Sequence, residues 1–250
     1  MAHIRASKIY FLSFALVALS AVTSLAQETH HWGYSGKSGP NHWEEVSPVC
    51  KSGHAQSPVN ITHAEQKDLP NLEFAYRPAA LNVIDNGHTV QVNYGPGSTL
   101  KVGDKTYELV QFHFHHKSET AIHGKHSPME VHLVHKDKDG NLAVVAVLLR
   151  EGESNTAVAT TWSNLPAVKE KAESPEGVDI QAIKLLPANH RYYTFSGSLT
   201  TPPCTENVTW LVMVDPMTVS KEQIEKFARL YPNDERPVQP LNGRVVLESK

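Results

Sequence analysis

The sequence predicts a mainly β, α+β single domain with a few short helices at its periphery. Two observations lead there: six short runs of alternating or β-branched residues bounded by turn formers, and only two stretches with helical spacing. In chain order, strands are expected at 81–84 and 89–94, separated by a turn in which Asn86-Gly87 precedes His88, and then at 108–116 and 130–135. The tight-turn sequence DKDGN at 137–141 makes the strand at 130–135 the antiparallel partner of the next, 142–149. A weaker helix is expected over 155–162, then a strand at 208–214. The clearest helix starts at Ser220, where Gln223 three residues on completes a capping box; Ile224, Phe227 and Ala228 share one face as far as Leu230. Gly and Pro are scattered, with no linker, repeat or composition shift to divide the chain.

The composition bounds the function. Hydrophobic residues make up 40% of the 250 and charged residues 20%, which describes a folded, soluble chain. Lys and Arg number 23 against 26 Asp and Glu, a formal charge of -3, and no basic stripe with interleaved aromatics provides a footprint for nucleic acid. Arg5 and Lys8 precede an apolar run at 9–22, followed by the small-residue site Ser24, Leu25, Ala26. That pattern is a secretory signal peptide, 1–26, whose cleavage leaves a mature domain at 27–250 with 21 basic residues against 26 acidic. The run is too short for a membrane span and is interrupted by Ser13 and Ser20, so no stable span is expected after processing. Export to the periplasm or the extracellular space is an oxidising context, which favours a disulfide between the only cysteines, Cys50 and Cys204, over two free buried thiols. Closing so long a loop is worth up to about 5 kcal/mol in the chain-entropy account.

Histidine is the anomaly, at 15 residues. In the stretch 111–135, QFHFHHKSETAIHGKHSPMEVHLVH, strand alternation places Gln111, His113 and His115 on one face opposite Phe112 and Phe114. The returning MEVHLVH puts Glu130, His132 and Val134 on one face. If the two faces coincide, three imidazoles converge, and three neutral nitrogens with an open fourth position describe catalytic zinc. Gln111 and Glu130 each lie two residues from a ligand and can orient its outer ring nitrogen. His116, His123, His126 and His135 are left to surface or packing roles. Water activated at such a site could attack an ester, a phosphate, an amide or carbon dioxide.

Further motifs narrow this choice. HHWGYSG at 30–36, QSPVNI at 56–61, DNGHTVQV at 85–92, QFHFH followed by Ser118-Glu119, MEVHLVH, YTFSGSLTTPPCTENVTW at 193–210 and RPVQPLNGR at 236–244 occur in order. With them the chain resembles the α-class carbonic anhydrases over essentially all of its mature length. The resemblance implies a large, twisted, mostly antiparallel β-sheet with Zn2+ at the bottom of a conical cleft, held by His113, His115 and His132. It makes Thr200 the residue that orients the attacking hydroxide, with its own proton donated to Glu119, and Thr201 a contact for bicarbonate. Val134, Val144, Leu199, Val208 and Trp210 match the apolar wall beside which carbon dioxide is held. His88 matches the proton shuttle, and Tyr34, Asn86 and Gln91 match positions that order the water chain. The resemblance also implies the Cys50–Cys204 bridge, cis bonds at Ser57-Pro58 and Pro202-Pro203, inhibition by sulfonamides and anions, and a side esterase activity; it leaves a homodimer open. Two positions depart from the pattern. Thr120 stands where a His commonly follows the glutamate, so a bond near Glu130 is either lost or rebuilt. Asp234 replaces a frequent Asn, a change that spares the backbone carbonyl expected to meet His115.

Overall fold

The computed structural model describes residues 31–250; the signal peptide expected at 1–26 lies outside them. Twelve strands form one sheet: β1 Glu65–Lys67, β2 Leu72–Ala75, β3 Asn82–Asp85, β4 Val90–Asn93, β5 Thr99–Val102, β6 Lys105–His115, β7 Met129–Lys136, β8 Leu142–Glu151, β9 Tyr192–Ser198, β10 Glu206–Met213, β11 Met217–Val219 and β12 Leu247–Ser249. Their order is β1-β12-β9-β10-β8-β7-β6-β4-β3, with β11 beside β8, and β2 joined through β5 to β6. Parallel pairing occurs where β8 meets β10 and β11 and where β12 meets β1. The remaining pairs are antiparallel, so the sheet is mostly antiparallel, as expected.

The period of two divides the long central strands between two cores. Phe112, Phe114, Val131, Leu133, Val145, Val147, Leu211 and Met213 face the larger cluster, where Trp162 and Phe227 come from the helices behind the sheet. Residues of the opposite parity, Val144, Ala146, Val208, Trp210 and Val212, form a smaller apolar cluster on the other face. The histidines predicted as ligands share that second face. The hairpin β7–β8 forms as DKDGN demands: Lys136 pairs with Leu142, and the Asp137 carboxylate accepts the backbone N–H groups of Asp139 and Asn141 at 2.9 and 2.8 Å.

Among the described residues there are also three short α-helices, α1 Val49–Ser52, α2 Thr156–Ser163 and α3 Lys221–Leu230, with three 3-10 turns and two small sheets. Asn155 caps α2, and the Ser220–Gln223 capping box opens α3. Gln223 also joins the helices, its amide nitrogen donating to the Asn155 carbonyl at 2.8 Å and its oxygen accepting the Asn155 N–H at 3.0 Å. Strand β9 has no counterpart among the expected runs, because Gly197 with Thr194, Ser196 and Ser198 in YYTFSGS dilutes the alternation. Cys50 and Cys204 are bonded, and Ser57-Pro58 and Pro202-Pro203 are cis, as is His116-Lys117.

Between Val134 and His135 the β7–β6 register shifts by one residue at a bulge, which returns Leu109 to the larger core and leaves Val110 exposed. His135 is fully buried there. Its Nδ1–H faces the Ala143 carbonyl at 3.3 Å, and its Nε2 accepts the Tyr76 hydroxyl at 2.6 Å, an arrangement that requires the neutral ring. Burial pushes its pKa from 6.5 down to about 4. The unfolded chain therefore binds the extra proton first: neutral His135 stabilises the fold above about pH 6.5, and that contribution is lost as the pH falls toward 4. The loss should amount to about 3 kcal/mol at 1.36 kcal/mol per pKa unit. Thermal melts of His135→Gln between pH 7 and 4 should show a flatter pH dependence than wild type; equal slopes would remove His135 from acid unfolding.

Candidate active site

Antiparallel pairing sets His132 directly opposite His113 and Glu130 opposite His115, so the two faces do coincide. One ligand nitrogen from each of His113, His115 and His132 lies within 4.8 Å of the others. No other Cys, Asp, Glu or His among the described residues joins this group. His115 and His132 are buried while His113 is partly exposed, so the site opens to solvent on the His113 side.

Each ring is turned by a partner behind it. The Gln111 side-chain oxygen accepts from His113 Nδ1 at 2.8 Å, and the Asp234 carbonyl accepts from His115 Nδ1 at 2.8 Å. An oxygen of this kind only accepts, so both Nδ1 atoms carry the proton and both Nε2 atoms keep a lone pair for the common point. His132 is reversed: Nε2 lies 3.3 Å from Glu130 Oε1, a close approach short of an aligned hydrogen bond, and this leaves Nδ1 to face inward. His115 Nε2 is buried with no hydrogen-bond partner, a cost a native protein accepts where a cation is to be held. Burial, with His115 and His132 adjacent, lowers the His113 pKa well below its ordinary value, and burial lowers that of His115, so both present neutral donors. The residues fit a zinc ion.

Thr120 rebuilds the bond left open by its departure from the family pattern. Its backbone N–H and its hydroxyl donate to the two Glu130 oxygens, each at 2.8 Å. Burial alone would raise the Glu130 pKa, but His132 and the Thr120 fork outweigh it and hold the carboxyl below its usual range. The second departure spares His115, whose partner is the Asp234 backbone carbonyl, while the buried Asp234 side chain accepts the His116 backbone N–H at 2.6 Å.

Glu119, with no solvent exposure, accepts the Arg236 N–H at 2.8 Å through Oε1. Its Oε2 lies 3.7 Å from His115 Nε2 and 3.9 Å from His132 Nδ1 and has no hydrogen-bond partner. Burial raises its pKa to about 7 against the opposing pull of His132, the Thr200 hydroxyl and the Arg236 N–H. Thr200, itself buried, is near enough for its hydroxyl to act on this carboxyl. Its loop is fixed on both sides: Cys204 N–H donates to the Thr201 carbonyl at 2.8 Å, and Ser57 N–H to the Ser198 hydroxyl at 2.9 Å. Gly197 permits that approach, since a Cβ there would sit 2.2 Å from Ser57 Oγ.

Val144, Val208 and Trp210 are buried in one cluster, with Val134 and Leu199 packed on it, and the Trp210 ring meets His132 edge-on at 5.0 Å. His88 is half-buried and stacked on Trp32 at 3.6 Å and 9°. Burial and the nearby His31 lower its pKa. Gln91 pairs with His113 across β4 and β6, and its side-chain oxygen lies 3.5 Å from the Asn86 amide nitrogen. Burial raises the Tyr34 pKa well above its ordinary value, with Glu119 adding to the effect, so this hydroxyl stays protonated.

Sequence reasoning missed two supports, although both lie within motifs it singled out. Trp32 of HHWGYSG stacks on His88. Arg236 of RPVQPLNGR, 3% exposed, donates its side chain to Cys50 O, Ser57 O and Gln56 Oε1 at 2.7, 2.7 and 2.9 Å while its N–H holds Glu119.

Comparison with known proteins agrees with this geometry. A family profile described as eukaryotic-type carbonic anhydrase matches residues 38–250. A carbonic anhydrase of Nostoc sp. is 47% identical over 239 residues, 92% of this chain and 90% of that one. A hyperthermostable carbonic anhydrase from a hydrothermal vent chimney superposes with a TM-score of 0.85 at 46% identity, over 88% of this chain and 100% of its own. The α-carbonic anhydrase of Thermovibrio ammonificans, solved with the inhibitor sulfanilamide, gives 0.83 at 42%, over 88% and 99%.

The Thr120 fork makes a prediction about metal retention. Thr120→Val should speed zinc release to a chelator by about tenfold, the lower end of what lost support behind a ligand costs, whereas Thr120→Ser should release at the wild-type rate. A valine variant that holds zinc as wild type does would show that the hydroxyl is dispensable.

Proposed function

Because the chain belongs to the eukaryotic-type (α) carbonic anhydrase family and catalyses the zinc-dependent, reversible hydration of carbon dioxide to bicarbonate and a proton, we propose the following roles for its residues. One observation carries the assignment: three imidazoles, each turned by its own partner, converge beside a buried carboxyl that faces a threonine. His113, His115 and His132 hold the zinc, oriented by Gln111, the Asp234 carbonyl and Glu130. When bound, the metal supplies Lewis acidity that makes a nucleophile of water near neutral pH.

The carboxyl of Glu119, balanced near 7 by burial, is drawn to its ionised form by a neighbouring cation. An ionised carboxylate only accepts, so the Thr200 hydroxyl must donate to it and present a lone pair to the attacking oxygen. Attack is thereby aimed. Carbon dioxide, with no charge and no donor, rests against the dry wall of Val134, Val144, Leu199, Val208 and Trp210, and Thr201 contacts the bicarbonate formed. The proton leaves by way of waters ordered by Tyr34, Asn86 and Gln91 to His88, whose lowered pKa favours its release to solvent.

The protein is an exported enzyme, made with a leader at 1–26 and working as a single catalytic domain at 27–250. The Cys50–Cys204 bridge suits an oxidising compartment, and among the described residues no helix is long and apolar enough to cross a membrane. A sulfonamide should inhibit the enzyme, since the Thermovibrio relative was solved in complex with the inhibitor sulfanilamide.

Stopped-flow carbon dioxide hydration with metal analysis tests these roles. Wild type should carry one zinc per chain and be inhibited by sulfanilamide, and its ester turnover should be the slower activity. His113→Ala should lose the metal and nearly all hydration; full hydration by a metal-free variant would refute the assignment. Thr200→Ala should keep its zinc and lose about 10²-fold in kcat/KM, the scale of one positioned electrostatic group.

A further inference from the structure

We propose that Tyr231, at the end of α3, is a positioning residue for proton transfer, its hydroxyl fixing the Asp85 carboxylate that shapes the turn carrying His88. The inference rests on the reading of His88 as the proton shuttle.

His88 lies in the four-residue turn between β3 and β4. Among the described residues its side chain makes no hydrogen bond, and its ring is held by the stack on Trp32. Where the ring sits therefore depends on the backbone beneath it. That backbone is organised by two carbonyl-bearing side chains. Asn86 Oδ1 accepts the N–H groups of His88 and Thr89 at 3.0 and 2.9 Å. Asp85 Oδ1 accepts the N–H of Gly87 at 3.1 Å, at a residue whose φ of +84° requires glycine. The turn is tied to the protein body at each end: the Thr89 hydroxyl donates to the Phe114 carbonyl on β6, and the Tyr231 hydroxyl donates to Asp85 Oδ1.

Asp85 is 6% exposed and Tyr231 7%, so the bond between them is shielded from water. Tyr231 continues the apolar face of α3, its ring 5.7 Å from Phe227 and lying under the Lys169 ammonium at 5.1 Å. A phenylalanine would satisfy both contacts. The hydroxyl is accounted for by the turn itself: it donates a hydrogen bond to Asp85, which as a carboxylate can only accept, and the Gly87 backbone N–H lies close to it. Without that donor the buried Asp85 oxygen keeps the Gly87 N–H alone, its rotamer is no longer set from outside the turn, and the base of His88 loosens.

The signature of such a role is kinetic. The proton is removed after carbon dioxide has reacted, so a residue that acts only on its removal changes kcat and leaves kcat/KM alone. General misfolding would lower both. The test uses the zinc-loaded, full-length mature enzyme in weak buffer, comparing wild type, His88→Ala, Tyr231→Phe and Tyr76→Phe. Tyr76→Phe removes a buried tyrosine hydroxyl that serves His135 instead. We expect His88→Ala to lower kcat about tenfold and Tyr231→Phe about threefold, both less than the full worth of a proton-transfer group because water offers a parallel route. In both, kcat/KM should hold and added imidazole should restore kcat, while Tyr76→Phe lowers thermal stability without lowering kcat.

Three results would overturn the proposal: kcat of Tyr231→Phe at the wild-type value while His88→Ala falls, kcat/KM of Tyr231→Phe falling in step with kcat, or an equal kcat loss in Tyr76→Phe. If His88→Ala itself keeps full kcat, the shuttle reading fails and the role of Tyr231 falls with it.

Discussion

The site depends on the register between β6 and β7. Opposing His132 to His113 and Glu130 to His115 places three imidazoles on one sheet face at a common height. Slipping that pairing by one residue would send the β7 histidine to the face packed with Phe112, Phe114 and Leu133, leaving two ligands and a polar ring in the larger core. The apolar residues of opposite parity hold the register, since any slip would expose them. Core packing and metal geometry are thus one constraint expressed on two faces of the same strands.

Behind that face runs a second determinant, the segment from Tyr231 to Arg236. Tyr231 reaches Asp85, the Pro232 carbonyl faces His116 Nδ1, the Asp234 carbonyl takes His115 Nδ1–H, and the Arg236 N–H takes Glu119. The Arg236 guanidinium then ties the segment to the main chain at Cys50 and Ser57. Six residues outside any strand therefore set the orientation of one metal ligand, of the carboxyl that faces Thr200, and of the His88 turn. Their backbone groups do most of this, which explains how Asp234 can replace a frequent asparagine without disturbing His115.

Much of this was legible in the residues. Period-two alternation placed His113 and His115 on one strand face and His132 on a face of the returning strand, DKDGN marked the β7–β8 hairpin, and Ser220 with Gln223 marked the start of α3. The strand that flanks Thr200 was not legible from periodicity, because YYTFSGS has neither clean alternation nor an apolar run; the family resemblance alone drew attention to it. The Thr120 fork was legible only as a departure, since whether a threonine replaces a lost bond depends on the backbone direction at 118–120. Arg236 and Tyr231 act across 117 and 146 positions of chain respectively, a distance no local pattern spans. His135 was read as a packing or surface residue, and its full burial against Tyr76 follows from the bulge, a feature of pairing rather than of composition.

The long-range character of these contacts bears on when the enzyme acquires its activity. The ligand strands emerge from the ribosome midway through synthesis, yet Asp234 and Arg236, which aim His115 and hold Glu119, emerge more than a hundred residues later. A nascent chain can hold the three imidazoles while still lacking the groups that orient them. Competence to turn over substrate is therefore a late event in biogenesis, reached only after the closing segment has docked against His115 and Glu119.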